Sequence, residues 1–385
     1  MIPYGRQNIS EEDISAVVDV LRSDFLTQGP AVPKFEKAVC DYTGASYAVA
    51  VNSATSGLHL ACLALGVEKG DWLWTTPISF VASANCGLYC GANVDFIDIN
   101  SITWNIDVDV LKAKLIRAKQ NNSLPKVVVA VHLCGLPCDM REIHQLSLEY
   151  GFRIIEDAAH AIGAKYSGRR VGSGQYSDIT IFSFHPVKTI TTGEGGMAVT
   201  NDRLLADKMR LLRGHGITRD SEMMTHDSHG PWYYQQIDLG FNYRMTDIQA
   251  ALGASQLKRL DEFVSRRHKI AEIYDKMLSD LPLQLPSRCS EKYSGLHLYV
   301  IRIDSSKVEK SHREIFESLR EQGVGVNLHY IPIHTQPYYK KMGFKVGDYV
   351  NAELYYSEAI SLPMFPDLTE IEQDQVVVAI KSLLS

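Results

Sequence analysis

The stretch Val127-Val128-Val129-Ala130-Val131 decides the fold of this chain. Five consecutive apolar residues without polar alternation are typical of a strand that is buried on both faces of a sheet. Six further short runs have strand character, namely Tyr47–Val51, Trp72–Thr75, Val94–Ile97, Arg153–Ile155, Ile179–Phe182 and Met197–Thr200. Helical spacing of apolar residues occurs between several of them, at Thr55–Leu65, Val108–Lys119, Met140–Tyr150 and Asp202–Arg213. This alternation predicts an α/β fold with a mostly parallel seven-stranded sheet covered by helices.

The alternation of short strands and helices ends near Met245. This change predicts a large domain over residues 1–245 and a smaller C-terminal α+β domain over residues 246–385. A helical pattern runs through Ile270–Met277 until prolines interrupt it. The other predicted elements of this part are strands at His297–Ile303 and Val324–His329 and helices at Ser311–Gln322 and Thr369–Leu384. The polar segment Thr218–Gln236 lacks apolar periodicity, so we expect a long surface loop there.

The composition excludes several classes of protein. The 385 residues are 45% apolar and 22% charged, as in an ordinary globular protein. The net charge of −6 is spread evenly along the chain, so no basic face is offered to a nucleic acid. No apolar run reaches the length of a membrane span, and no signal peptide pattern is present. The seven cysteines include no CxxC pair, so we expect a cytoplasmic protein with reduced thiols and no metal site.

Unusual residues follow several strands, and ligands of open α/β sheets bind at the carboxyl ends of strands. The run Asn52-Ser53-Ala54-Thr55-Ser56-Gly57 combines hydroxyl groups with the free amides of a helix start, which suits an anion such as phosphate. A plain helix cap by Ser53 or Thr55 explains the same residues, and the sequence leaves both interpretations open.

Two more strand ends carry charged residues. The run Glu156-Asp157-Ala158-Ala159-His160 follows a predicted buried strand. A buried Asp157 needs a cation or a hydrogen-bond donor beside it, and Arg153 is a candidate for a purely structural partner. The small alanine side chains leave a flat face, which suits a planar ring. Lys188 lies between Pro186 and the glycine-rich Thr192–Gly196. A lysine that is shielded from water there could attack a carbonyl group. The simpler interpretation is an ordinary solvent-exposed loop lysine. A phosphate seat, a carboxylate for a pyridinium nitrogen and a lysine for an aldehyde together predict a pyridoxal 5'-phosphate (PLP) pocket.

The whole chain resembles the fold-type I PLP aminotransferases of the DegT/StrS type, which act on nucleotide-linked keto sugars. The matching motifs are Leu26–Pro30, Asn52–Ser56, Glu156–His160, Ser183–Lys188, Thr192–Gly196 and Asn242-Tyr243-Arg244-Met245. Within that family, Thr76–Ala82 and His226–Tyr234 look most like the UDP-4-keto-sugar aminotransferases of pseudaminic acid biosynthesis.

This resemblance implies roles for individual residues. Lys188 would bind PLP covalently, and Asp157 would pair with the ring nitrogen. The other cofactor contacts would be Ser53, Ala54, Thr55, Phe80, Ala159, His160, Ser183 and, from a second subunit, Asn242. The substrate contacts would be Tyr4, Leu26, Thr27, Arg244, His329, Tyr330 and Pro332. A homodimer with shared active sites follows, because each pocket would take one phosphate ligand from its partner.

Simpler interpretations stand beside several of these roles. Phe80 suits the core as well as a lid on the cofactor, and His160 suits a buried, hydrogen-bonded imidazole. Thr27 suits a turn, and Tyr330 suits a packed aromatic side chain. Arg244 suits an ion pair with Asp247 as well as a diphosphate contact.

The predicted reaction moves the amino group of glutamate to carbon 4 of a UDP-linked 4-keto-6-deoxy-N-acetylhexosamine. Family relatives that dehydrate sugars have histidine at the lysine position, so Lys188 favours amino transfer. Two alternatives remain open. One is an aminotransferase for another keto substrate, such as a dTDP-linked or GDP-linked sugar, and the other is a non-catalytic nucleotide-sugar sensor on the same fold.

Overall fold

A computed structural model describes residues 1–384 of the chain. The strands are β1 (Tyr47–Val51), β2 (Trp72–Thr75), β3 (Asn93–Phe96), β4 (Val127–Val131), β5 (Arg153–Asp157), β6 (Lys165–Tyr166), β7 (Arg169–Arg170), β8 (Ile179–Ser183), β9 (Gly196–Thr200), β10 (Ile217–Thr218), β11 (Gln235–Gln236), β12 (Leu283–Gln284), β13 (Lys292–Tyr293), β14 (Tyr299–Ile303) and β15 (Ala359–Leu362). The helices are α1 (Glu11–Leu21), α2 (Ala31–Thr43), α3 (Ala54–Ala64), α4 (Ala82–Tyr89), α5 (Val108–Gln120), α6 (Met140–Tyr150), α7 (Arg203–Arg213), α8 (Asp247–Leu257), α9 (Leu260–Leu278), α10 (His312–Glu321), α11 (Pro337–Lys340), α12 (Val350–Glu358) and α13 (Glu370–Leu384), with 3-10 turns at Leu133–Gly135 and Ile333–Thr335.

The seven predicted strands form one sheet in the order β1-β9-β8-β5-β4-β2-β3. Strand β9 runs antiparallel to both of its neighbours, and the other pairs are parallel. The predicted α/β fold with a mostly parallel sheet is therefore confirmed. Strand β4 pairs with β2 and β5 and is buried at all five residues, as the uninterrupted apolar run predicts.

Both faces of the sheet are covered, because alternate residues of β4 point into two different cores. Val127, Val129 and Val131 pack with residues of α3 and α7. Val128 and Ala130 pack with residues of α5 and α6 on the opposite face. The four helices predicted between strands are all present, with ends within a residue of the expected positions.

The C-terminal part contains a second core around the three-stranded sheet β12-β14-β15. Helices α9, α10 and α13 supply Ile270, Ile315 and Val376 to this core. The predicted strand at Val324–His329 is wrong. Its backbone pairs only at two isolated points, Val324 with Ile2 and Asn327 with Ser361, so an apolar pattern existed without a continuous partner strand.

Helix α8 follows the predicted domain boundary and packs on α1 and α2. Its Ala250 and Leu257 share a core with Phe35 of α2, whereas residues from Ile270 onward belong to the C-terminal core. The division of the chain at residue 245 stays a prediction.

The N-terminal residues are held by the C-terminal part of the chain. The amide of Ile2 donates to the carbonyl of Gly323 (2.8 Å), and the amide of Gly325 donates back to the carbonyl of Ile2 (2.7 Å). The carbonyl of Tyr4 accepts from the amide of Met364 at 3.0 Å. These bonds fix the position of Tyr4.

Strands β10 and β11 pair with each other and hold the ends of the predicted loop, whose intervening residues are mostly exposed. Within residues 1–384, no helix has both the length and the apolar character required to cross a membrane.

Candidate active site

A cavity of about 810 Å³ opens at the carboxyl ends of β1, β4, β5 and β8. Twelve of the residues predicted for the site line it: Tyr4, Ser53, Ala54, Thr55, Phe80, Asp157, Ala159, His160, Ser183, Lys188, His329 and Tyr330. They are spread along the chain from Tyr4 to Tyr330, and those that follow the parallel strands meet at one edge of the sheet. The phosphate seat, the carboxylate and the lysine that the sequence predicts therefore share one cavity.

Five predicted site residues do not line this cavity: Leu26, Thr27, Asn242, Arg244 and Pro332. The backbone of Thr27 pairs with that of Thr246 in an isolated bridge. Asn242 is exposed, and its carbonyl accepts from the side-chain amide of Asn52 at 3.3 Å.

Arg244 lines a second cavity, of about 700 Å³, together with Arg210, Arg213 and Arg219. The ion pair of Arg244 with Asp247 that the sequence left open is absent within residues 1–384. The carboxylate of Asp247 accepts instead from the backbone amides of Gly29 (2.8 Å) and Ala31 (2.7 Å).

The predicted anion seat lies at the start of α3. Ser53 is the N-cap, because its hydroxyl accepts from the amide of Ser56 at 3.1 Å, and Thr55 is not. The amides of Ala54 and Thr55 lie in the first turn, where a helix offers no backbone acceptor. A Cβ atom on Gly196 would lie 2.6 Å from the nitrogen of Ala54, so only glycine lets β9 pass this close. Capping by Ser53 and anion binding by the neighbouring amides are compatible.

Asp157 ends β5 and is held by two donors. Its Oδ2 accepts from the hydroxyl of Ser83 at 2.6 Å, and its Oδ1 accepts from the amide of Ala159 at 3.1 Å. The suggested partner Arg153 pairs with Asp178 at 3.0 Å instead. Ser83 was not among the predicted site residues. Ser79 and Ser83 are spaced one helical turn apart, and their hydroxyl oxygens lie 2.6 Å from each other.

Lys188 lies in the wall of the cavity with its side chain partly buried. Burial lowers the pKa of its amine from 10.5 to about 8, and the negative charge of Asp157 partly offsets this effect. Since an amine is nucleophilic only without its extra proton, the low pKa makes Lys188 better suited to react with a carbonyl group than an exposed lysine.

His160 is a buried imidazole with both nitrogens engaged. Its Nδ1 accepts from the amide of Cys134 (3.3 Å), which places the proton on Nε2, and Nε2 lies 3.0 Å from the hydroxyl of Tyr330. Burial and the charge of Lys188 lower the pKa of His160, so the ring is uncharged. Phe80 is 59% exposed, and its interpretation as a core residue is therefore wrong.

His132, which also lines the cavity, forms a buried pair with Glu156 that the sequence did not predict. Nδ1 of His132 accepts from the amide of Cys138 (3.1 Å), and Nε2 donates to Glu156 at 2.7 Å. Thr180 donates to the other oxygen of Glu156 at 3.0 Å, and Ser177 bonds it as well. Glu156 therefore has a structural role that differs from that of its neighbour Asp157.

The donor set fits PLP. Amides and hydroxyls at a helix start suit its phosphate, a buried carboxylate suits its ring nitrogen, and a desolvated amine suits its aldehyde. PLP, when bound, supplies an electron sink that stabilises negative charge at the carbon from which the amine is taken.

The comparisons with known proteins agree with this geometry. The sequence pattern described as "DegT/DnrJ/EryC1/StrS aminotransferase family" matches residues 7–381. The UDP-4-amino-4,6-dideoxy-N-acetyl-beta-L-altrosamine transaminase of Campylobacter jejuni is 39% identical over 369 residues, which are 96% of this chain and 93% of the relative.

Solved structures of two sugar aminotransferases have the same fold. Helicobacter pylori PseC, described as an aminotransferase involved in the biosynthesis of pseudoaminic acid, has a TM-score of 0.90 and 32% identity, covering 100% of this chain and 99% of its own. The putative sugar aminotransferase Spr1654 of Streptococcus pneumoniae has a TM-score of 0.90 in its PMP form, with 29% identity and coverage of 100% and 99%. Its PLP form has a TM-score of 0.88, with 28% identity and full coverage of both chains. The chain therefore belongs to the DegT/DnrJ/EryC1/StrS aminotransferase family, and it is a PLP-dependent sugar aminotransferase.

Proposed function

We propose that this enzyme transfers the amino group of glutamate to carbon 4 of a UDP-linked 4-keto-6-deoxy-N-acetylhexosamine, as in pseudaminic acid synthesis. The observation that carries the proposal is the shared cavity of Lys188, Asp157 and the α3 start in a chain that is 39% identical to the altrosamine transaminase. The coarser activity, amino transfer to a sugar of a nucleotide-sugar pathway, belongs to the family.

In this proposal the residues of the cavity have separate roles in binding PLP and in amino transfer. Lys188 would bind PLP covalently through its amine, and the same amine, once free, would take up and deliver a proton during amino transfer. Asp157 keeps the ring nitrogen protonated, and the hydrogen bond from Ser83 fixes its orientation. Ser53, Ala54, Thr55 and Ser183 hold the phosphate. Phe80, Ala159 and His160 line the same cavity, where Phe80 and Ala159 would contact the two faces of the cofactor ring and His160 would lie near its phenolic oxygen.

The substrate sites require a second copy of the chain. Within residues 1–384, no arginine lines the cavity, although both glutamate and a diphosphate are anionic. We infer a homodimer in which Asn242 of each copy binds the phosphate in the other cavity. Tyr4, His329 and Tyr330 of the cavity wall then contact the sugar nucleotide together with Leu26, Thr27, Arg244 and Pro332.

Product analysis tests the proposed substrate. The enzyme is incubated with glutamate and separate UDP-linked, dTDP-linked and GDP-linked 4-keto sugars, and each product is identified by NMR. We expect amination at carbon 4 and kcat/KM at least tenfold higher for the UDP-linked N-acetyl sugar. Preference for a dTDP or GDP sugar would replace the UDP assignment and leave the family activity intact.

The role of Lys188 has its own test. Lys188→Ala should lose both turnover and the visible absorption of lysine-bound PLP, while Lys165→Ala, a lysine of strand β6 outside the cavity, should retain both. A Lys188→Ala variant with near-normal amino transfer contradicts the assignment. A wild-type protein without visible absorption after PLP is supplied would favour the nucleotide-sugar sensor.

A further inference from the structure

The imidazole of His160 carries its proton at a fixed position. A backbone amide can only donate, so Nδ1 of His160, which lies 3.3 Å from the amide nitrogen of Cys134, accepts and carries no proton. The proton of the neutral ring is therefore on Nε2. Burial lowers the pKa of His160, and the charge of Lys188 lowers it further, so the ring does not take up a second proton at neutral pH. His160 is thus a hydrogen-bond donor through Nε2 alone.

The amide that fixes this tautomer has an unusual backbone conformation. Cys134 is buried and has a φ of 58°, in the left-handed region that residues with a side chain rarely adopt. It lies in the 3-10 turn Leu133–Gly135 after β4. A Cβ atom on Gly135 would lie 2.7 Å from the carbonyl oxygen of His160, so the turn packs tightly against this residue. Strained backbone is concentrated at functional sites, and here it directs an amide at His160.

The bond from His160 determines what the hydroxyl of Tyr330 can do. Nε2 lies 3.0 Å from the hydroxyl oxygen, and because Nε2 carries the proton, this oxygen accepts. The proton of Tyr330 then points elsewhere. In the part of the chain that the structure describes, this hydroxyl has no other hydrogen-bond partner, and the carboxylate of Asp157 accepts from Ser83 and Ala159 instead. Tyr330 lines the cavity and therefore has one proton to donate into it.

Two features keep Tyr330 neutral and fixed. Burial raises the pKa of Tyr330, so the hydroxyl keeps its proton at neutral pH. The backbone is held on both sides, because the hydroxyl of Tyr355 donates to the carbonyl of His329 (2.8 Å) and the amide of Ile333 donates to the carbonyl of Pro77 (2.8 Å). A donor that is held in this way loses little freedom when it bonds a ligand.

We infer that the hydroxyl of Tyr330 donates to the phenolic oxygen of PLP and that His160 is the residue that positions it. The proposal above pairs the ring nitrogen with Asp157, the aldehyde with Lys188 and the phosphate with the start of α3. The phenolic oxygen is the remaining polar group of the cofactor, and an oxygen that can carry negative charge suits a neutral O–H donor. His160 lies near this oxygen in the same proposal, but its one proton is already engaged by Tyr330.

This inference rests on PLP binding as proposed above and is independent of the nucleotide and the sugar. The ring of Tyr330 remains available to the sugar nucleotide, since only its hydroxyl is assigned to PLP. A preference of the enzyme for another sugar nucleotide would therefore leave the inference intact, and the measurements below do not depend on any sugar.

A PLP analogue that lacks the phenolic oxygen, 3-deoxypyridoxal 5'-phosphate, tests the contact. Dissociation constants of PLP and of the analogue are measured with the full-length protein after bound PLP has been removed. Tyr330→Phe removes only the hydroxyl and should weaken PLP binding about tenfold, while analogue binding should change by less than about twofold. Tyr338→Phe, at an exposed tyrosine of α11 outside the cavity, should change neither constant.

Variants of His160 test its positioning role. His160→Leu removes the Nε2 donor and should weaken PLP binding about threefold, but it should have no further effect when Tyr330→Phe is already present. His160→Gln keeps an N–H donor and should bind PLP more tightly than His160→Leu. In ¹⁵N NMR of the PLP-free protein at pH 7, the imidazole signal that His160→Leu removes should be that of a neutral ring with its proton on Nε2.

Three results would overturn the inference. The first is a Tyr330→Phe protein that discriminates between PLP and the analogue as the wild type does. The second is a His160→Leu effect that is equal with and without the Tyr330 hydroxyl, which would make His160 itself the donor. The third is a His160 ring that is charged at pH 7 or protonated on Nδ1. If His160→Leu fails to fold, Tyr330→Phe and the NMR of the wild type, assigned with His160→Gln, decide.

Discussion

Replacing Lys188 with Met measures what it costs to place an ammonium group in the cavity wall. Burial lowers the pKa of Lys188 from 10.5 to about 8. Each tenfold change in an ionisation constant corresponds to about 1.4 kcal/mol, so the protonated lysine reduces the free energy of unfolding by about 3 kcal/mol. Met has a similar length and no charge. We therefore expect Lys188→Met to stabilise the PLP-free protein by up to about 3 kcal/mol at pH 7 while it abolishes amino transfer.

The sign and the pH window follow from the order of the two pKa values. Because the pKa is lower in the folded protein than in the unfolded chain, protonation favours unfolding. The full cost applies below about pH 8, declines as the pH rises toward 10.5 and vanishes above it. The gain from Lys188→Met should therefore be larger at pH 7 than at pH 10.

Urea unfolding of the PLP-free proteins, followed by circular dichroism at pH 7 and pH 10, measures this gain. Lys37→Met is the matched control, since Lys37 is exposed and pairs only with Asp41 on the same helix, and it should change stability by less than about 0.5 kcal/mol. The reasoning is refuted if Lys188→Met is no more stable than the wild type at pH 7, or if its gain is equal at both pH values.

Two further substitutions test the packing around the site. A methyl group on Gly253 would lie 2.6 Å from the ring of Phe35, so Gly253→Ala should cost about 1 to 3 kcal/mol in urea unfolding, whereas Gly5→Ala, with no atom within 4 Å, should be neutral. An unchanged urea midpoint for Gly253→Ala would mean that α2 and α8 shift apart at no cost in stability. Glu36→Gln leaves the largely buried guanidinium of Arg213 without its counter-charge and should cost about 3 kcal/mol by the same measurement. A cost below about 0.5 kcal/mol would show that water screens this pair.

The sequence predicted the sheet well because buried parallel strands are marked by composition alone. Val127–Val131 is apolar throughout, the six other runs are mostly apolar, and each of the seven lies within about one residue of a strand of the sheet at its start. Two strands extend beyond their predicted ends, to Asp157 and Ser183, because polar residues at strand ends belong to the site and interrupt the apolar pattern. The strand predicted at Val324–His329 is wrong for a different reason, because an apolar pattern does not reveal whether a partner strand is present.

The residues of the candidate site could be predicted where a single residue type at a strand end already indicates its chemistry. Lys188 and Asp157 are unusual where they stand, and both line the cavity. Ser83, which supports Asp157, was not predicted, because the spacing of Ser79 and Ser83 does not reveal that the fold places Ser83 against Asp157. Leu26, Thr27, Asn242, Arg244 and Pro332 lie outside the cavity, and their predicted roles depend on the homodimer proposed above.

The bonds that tie Ile2 and Tyr4 to Gly323, Gly325 and Met364 have a consequence during synthesis on the ribosome. An elongation rate of about 5 to 20 residues per second separates the emergence of these partners by roughly 15 to 70 seconds. The central sheet has emerged long before then, whereas the segment carrying Tyr4 must wait until Gly323, Gly325 and Met364 have been made. Nascent chains should therefore acquire the wall formed by Tyr4 only after the sheet has formed.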